Sequence, residues 1–266
     1  MKYLVCVYTL LLVSVTLRAV GQTGFQVEPP KITFEEQGGR LAPVRVKLTN
    51  TSAVRMVVRA SCVDWKRDSL GDKQFFPAGT LSNSCCPYLR AQPETVEMAP
   101  GTTHEIVVTL APDRVLTQET HHGMLMLTQI NEREISATQG VQVGFIMRVQ
   151  IGVHLYHVPK AGLSKTMSID TLLVGSAKGD RQVSMRVRNT GQMNVESAIR
   201  VEVTNLVTSE EIKLPSIPVN SLPGERIWVN AALPEKLAKG RYLIIAIVDS
   251  GPDVPLQVAE LEMEMP

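Results

Sequence analysis

Aromatic residues make up only 5% of the 266, and neither sign of charge predominates: 27 Lys and Arg against 26 Asp and Glu leave a net +1. That balance excludes the electrostatic footprint of a nucleic-acid binder or of a protein held on an anionic membrane surface. After Gln22 no apolar run reaches the ~20 residues that a membrane-spanning helix needs, so no membrane insertion is expected there. Groups that do chemistry are scarce and scattered. The histidines are His104, His121, His122, His154 and His157. Adjacent His121 and His122 point oppositely in an extended chain, as do His154 and His157 three apart, so neither pair chelates one metal ion. No Gly-x-Ser-x-Gly elbow and no phosphate-binding loop occurs. No catalytic residue, metal site or cofactor is expected, and the chain is read as non-enzymatic.

What is present begins with the compartment. Met1-Lys2 is followed by an almost unbroken apolar run from Tyr3 to Leu17, then the small-residue stretch Ala19-Val20-Gly21. This predicts a cleaved signal peptide over residues 1–21 and export to an oxidising compartment. The remainder then holds three cysteines, Cys62, Cys85 and Cys86. Cys62 can pair with Cys85 or with Cys86, and spacing does not choose between them. A vicinal Cys85–Cys86 bond is strained, and no second cysteine pair or histidine cluster completes a zinc site.

Valine, threonine and isoleucine abound, and short alternating runs are punctuated by turn residues, the pattern of an all-β sandwich. Val44, Val46 and Leu48 share one face of a strand that runs into the turn Asn50-Thr51-Ser52. Val96 to Met98 enters the Pro100-Gly101 turn, and Glu105 to Leu110 leaves it. The second half repeats both devices, with Val187-Arg188-Asn189-Thr190 and Leu222-Pro223-Gly224 at similar offsets. Two related immunoglobulin-like β-sandwiches in tandem follow, over residues 22–158 and 159–266. His121-His122 is expected to be a polar loop before a strand from Gly123 to Ile130.

The longest signal is the segment 141–156. Val141, Val143, Phe145, Met147, Val149, Ile151, Val153 and Leu155 fall on one face, and as one strand it would extend roughly 50 Å. Gly144 or Gly152 would bend such a strand, or part of it runs past its own sheet.

The segments Tyr88 to Gly101, Val141 to Pro159 and Pro30 to Phe34 together resemble the N-terminal domain of PapD-like periplasmic pilus chaperones. The resemblance covers residues 25–160 and leaves only a generic sandwich pattern beyond Gly162. It implies a periplasmic chaperone for pilin-like or other secreted subunits, binding by donation of the 141–156 strand. Val143, Phe145, Met147 and Val149 would then be the donor side chains, by the physics of an added strand filling alternate pockets. The same face could instead close the domain's own core. The resemblance also implies that Lys31 anchors a subunit's terminal carboxylate in the cleft between domains. A lone edge lysine is the plainer alternative. The family's second cation falls at Val153 or His154 here, and neither is a fixed positive charge. An exposed donor strand further predicts self-association without a client. The competing reading is a structural or adhesive cell-envelope protein that reuses tandem sandwiches and chaperones nothing.

Overall fold

A computed structural model of the chain describes residues 24–37, 40–68, 70–111, 120–131, 133–135, 145–159, 163–177, 180–235 and 237–265. The expected signal peptide lies outside them, as do Val141 and Val143. No described helix is long and apolar enough to cross a membrane.

Two prolines set the first architectural decision. β1 (Phe25–Glu28) pairs with β4 (Val44–Asn50), whereas β2 (Lys31–Gln37) joins the opposite sheet. Pro29 and Pro30 between them have no N–H to give a ladder, so the chain leaves one sheet there and enters the other. β1 and β4 form a four-stranded sheet with β9 (Thr103–Leu110) and β7 (Leu89–Gln92). Facing it, β3 (Arg40–Leu41), β2, β13 (Gln150–Val158), β10 (His121–Gln129), β5 (Met56–Arg67) and β6 (Lys73–Pro77) follow one another, with β8 (Thr95–Met98) pairing β5. Val46, Leu48, Val58, Ile106, Leu125 and Leu155 meet between the sheets, all fully buried. Burial of each such side chain contributes about 1.5–3 kcal/mol.

The second sandwich has the same two-layer logic. β14 (Met167–Ala177), β15 (Asp180–Asn189) and β19 (Arg226–Ala232) face a sheet of β17 (Glu211–Lys213), β16 (Val195–Asn205), β20 (Gly240–Asp249) and β21 (Gln257–Met265), with β18 (Ile217–Ser221) on β16. Its core gathers Val183, Met185, Val203, Ile244, Ala246 and Val248.

The sequence repeat is a structural one. Asn50, at the end of β4, is fully buried and donates from Nδ2 to the carbonyls of Val54, Met98 and Ala99 at 2.8–3.2 Å. Asn189, at the end of β15, is equally buried and donates to the carbonyls of Met193 and Ser221 at 2.8 and 3.1 Å. In both, the asparagine's own carbonyl accepts the N–H of the Pro-Gly turn's glycine, Gly101 or Gly224, at 3.0 Å. These glycines hold φ of +71° and +77°, the left-handed region that a side chain disfavours.

The segment 141–156 is not one strand among its described residues. β12 (Phe145–Met147) pairs with β11 (Arg133–Ile135), and β13 starts at Gln150, with Arg148 and Val149 between the two strands. The pairing of β10 with β13 keeps one register, and β11–β12 continues the hairpin two residues out of it. From the Thr128–Gln150 pair to the Arg133–Met147 pair the chain advances five positions between β10 and β11 but three between β12 and β13, so the difference arises on the β10–β11 side, where alternation along 141–156 does not report it.

Candidate functional site: a cationic cleft beside an open strand edge

Alternation along β5, β10 and β13 gives this sheet a second buried face, directed at the other domain. Odd positions of β13 (Val153, Leu155) enter the first core, and even positions (His154, Tyr156) face outward. On β5 the outward positions are Val63, Trp65 and Arg67. Trp65 and Tyr156 are fully buried, and with Met124 they pack on Leu222 of the second sandwich. Gly152 makes room for this layer, because a Cβ there would lie 2.4 Å from the Met124 sulfur.

His121 and His122 belong to β10 rather than to a loop, and His122 points into this layer. Both are buried at the start of β10, a central strand covered on one face by the core and on the other by the second domain. His122 Nε2 lies 2.8 Å from the Trp65 carbonyl, and Trp65 Nε1 donates to the Gly123 carbonyl at 3.1 Å. Burial holds His122 below the usual histidine range.

Cations collect around the Trp65 ring. The Arg67 guanidinium sits 4.7 Å and the Lys73 ammonium 5.6 Å from it. Arg67 Nη1 pairs with Glu225 across the domains at 3.2 Å, and both side chains are nearly buried. Glu225 also accepts the Leu222 N–H at 2.6 Å. Lys73 reaches His154 instead, with Nζ 3.0 Å from Nε2. An ammonium can only donate, so Nε2 is the acceptor of a neutral imidazole, and the ring proton lies on Nδ1 toward the Tyr156 hydroxyl at 3.4 Å. Burial first, then Lys73 and Arg67, push His154 down to about 4. Burial and Arg67 also lower Lys73.

Lys31 stands beside His154, its register partner in the parallel β2–β13 ladder. Lys31 Nζ donates to Glu196 of the second sandwich at 2.5 Å, with both side chains about half exposed. Lys31, Thr33, Val158, Lys165, Glu196 and Ser250 line an open cavity of about 330 Å³ between the domains. On the other side of His154, Lys73 of β6 adds a second ammonium group. Lys31, His154 and Lys73 form one row, and no carboxylate among the described residues lies within salt-bridge range of Lys73.

Next to this row a strand edge is open. His154 N–H donates to the Pro30 carbonyl at 3.1 Å, while the Gln129 N–H donates to the Val149 carbonyl at 2.9 Å. Even positions of β13 thus turn their main chain toward β2 and odd positions toward β10. Pairing with β2 begins only at His154. Gln150 and Gly152 direct their amide and carbonyl groups at an edge that no described strand occupies.

Of the expected donor side chains, Val149 is half-buried and packs on the first core, and Ile151 does the same. Phe145 and Met147 lie in β12, opposite Ile135 and Arg133 of β11. Val143 is outside the described residues. The cysteine question is resolved in favour of Cys62–Cys86, with Cys85 free and buried.

No protein-family model matches the chain, and no curated protein matches it. Several solved structures resemble it. One is the CsuC–CsuE chaperone–tip adhesion subunit complex from archaic chaperone-usher Csu pili of Acinetobacter baumannii, 15% identical with a TM-score of 0.48, covering 89% of this chain and 97% of that one. The Salmonella enterica SafA pilin–SafB chaperone complex is 11% identical, with a TM-score of 0.46 and coverage of 93% and 99%. The class 5 fimbriae chaperone CfaA is 10% identical, with a TM-score of 0.43 and coverage of 91% and 100%. Likeness at this level carries no inference about partners.

Proposed function

We propose that this chain is a non-catalytic periplasmic chaperone, divided at about residue 158/159, that binds pilus or surface-structure subunits by β-strand donation. The observation that carries this reading is the open main-chain edge at Gln150 and Gly152, lying against the row Lys31–His154–Lys73. A strand added there gains main-chain hydrogen bonds from Gln150 and Gly152, and its terminal carboxylate meets two ammonium groups. The segment from Val143 through Phe145 and Met147 to Val149 supplies the alternating apolar side chains. Val149 and Ile151 are shared between this role and the first core, so the donated length centres on the 143–149 part. The sequence resemblance over residues 25–160 supports the same reading, and Lys73 fills the role of the family's second cation from a different strand.

The test is recovery of the tagged chain from the periplasm of its own cells. A chaperone carries a signal-bearing subunit that aggregates when expressed alone, and Gln150→Pro, which deletes one edge N–H, releases it while leaving the fold intact. Recovery of the chain without any such subunit, or retention unchanged by Gln150→Pro, rejects strand donation and favours a structural or adhesive module.

A further inference from the structure

Gly123 of β10 is glycine because three sulfurs converge on it. A Cβ at this position would lie 2.9 Å from Cys86 Sγ, 3.1 Å from Cys85 Sγ and 3.3 Å from Cys62 Sγ. Cys62 and Cys86 are bonded, and the Cys85 thiol therefore sits beside a disulfide rather than alone. The Cys62–Cys86 bond also forms part of the wall of an open cavity of about 280 Å³, with Ala60, Leu89, Arg90 and Glu94. Cys85 itself is fully buried.

We propose that Cys62 has two alternative partners, and that the three sulfurs about Gly123 form an exchangeable disulfide in which Cys85 can replace Cys86. In the exchange the Cys85 thiol first gives up its proton to solvent base. Its thiolate attacks Cys62 Sγ, the Cys62–Cys86 bond breaks, a Cys62–Cys85 bond forms, and the departing Cys86 thiolate takes a proton. No electrons are gained or lost, and no external oxidant is needed. Attack on Cys86 Sγ would instead close a vicinal Cys85–Cys86 ring, which is strained.

Two features confine the exchange. Burial, reinforced by Asp64, pushes the Cys85 thiol up to about 12, so the attacking thiolate is rare at neutral pH. The segment that must move is also tied down: the Cys85 N–H donates to the His122 carbonyl at 3.0 Å, and Asp64 accepts from the Ser84 hydroxyl at 2.5 Å and the Leu81 N–H at 2.8 Å. Moving the bond by one residue displaces this segment against β10. Gly123, whose carbonyl holds the Trp65 indole, transmits the change to the ring around which Arg67, Lys73 and His154 are arranged. The sulfur cluster thus sets the geometry of the cationic cleft, whatever that cleft binds.

The test uses the full exported chain with Trp228→Phe, so that Trp65 is the only fluorophore of its kind. Incubation between pH 7 and 10, followed by acid quench, alkylation and non-reducing peptide mapping, is expected to yield Cys62–Cys85 alongside Cys62–Cys86. Its rate should rise about tenfold per pH unit, as the thiolate fraction does below the thiol's pKa, with a parallel change in Trp65 emission. Cys86→Ala is expected to form Cys62–Cys85 on export; should that variant not fold, the wild-type mapping decides alone. A single Cys62–Cys86 species at every pH overturns the proposal, as do a vicinal Cys85–Cys86 product and two free thiols in folded Cys86→Ala. These outcomes are independent of client binding and leave the proposed function untouched.

Discussion

Lys73 Nζ lies 3.0 Å from His154 Nε2, and that contact turns an uncharged histidine into part of a cationic site. The two residues come from β6 and β13, with β5 and β10 between them. A neutral imidazole accepts from the ammonium and orients it toward the cleft, where Lys31 supplies a second positive charge.

Lys73→Ala is expected to weaken binding of a strand peptide with a free terminal carboxylate about tenfold, the effect of losing one charge-assisted hydrogen bond. The same peptide as its C-terminal amide should bind both forms alike. Isothermal titration of the two peptides against wild type, Lys73→Ala and Lys31→Ala separates this from a general loss of affinity. Equal losses for acid and amide would show that the cations do not read the carboxylate.

Acid should destabilise the protein in a defined window. His154 is held at about 4 in the folded chain against its usual 6.5, so between these values the unfolded chain binds a proton that the folded chain refuses. Stability is therefore full above about pH 6.5, declines as pH falls toward 4, and levels off below it as far as His154 is concerned. His122 and His157, both also lowered by burial, act in the same direction. Urea midpoints at several pH values check this. His154→Gln should flatten the slope between pH 6.5 and 4.

The Arg67–Glu225 pair joins the two sandwiches with both partners nearly buried. Glu225→Ala leaves the guanidinium uncompensated and the Leu222 N–H without its acceptor, at a cost of about 3–5 kcal/mol. Differential scanning calorimetry should show a lower, broader transition for this variant. Arg67→Met, which removes the charge and keeps apolar contact with Trp65, should cost less.

Asn50→Ala and Asn189→Ala test the repeated asparagine. Each strips buried carbonyls of their donor, and each should destabilise by about 2–4 kcal/mol, since buried acceptors left unpaired carry the desolvation penalty. The loss belongs to a different sandwich in each variant, which hydrogen exchange resolves by domain. Gly101→Ala meets no neighbour within 4 Å, so its cost of about 1 kcal/mol comes from the backbone alone.

Period-two alternation, the turn chemistry and the paired Asn-Thr and Pro-Gly devices were enough to specify an all-β chain of two related sandwiches. These are local signals: alternation follows from the pleat, and the asparagine and glycine act on backbone close to them or across one ladder. Lys31 was named through the family resemblance of Pro30 to Phe34, and the structure places it at the start of β2, in register with His154. Lys73 was not, since nothing near it in the chain signals a partner 81 residues away across two intervening strands. The burial of His121 and His122 was hidden for a related reason. Adjacent polar residues look like a loop until a second domain covers the face to which one of them points.

Local patterning specified most of the strands and turns, and it supplied the three cysteines from which one disulfide could be built. Tertiary packing settled that Cys86 pairs with Cys62, that a register change divides the 141–156 segment, and that Lys73 stands against His154. Local order follows from the pleat and from individual turn residues, whereas these three outcomes depend on which strands lie side by side, a matter of packing that no short stretch of sequence encodes.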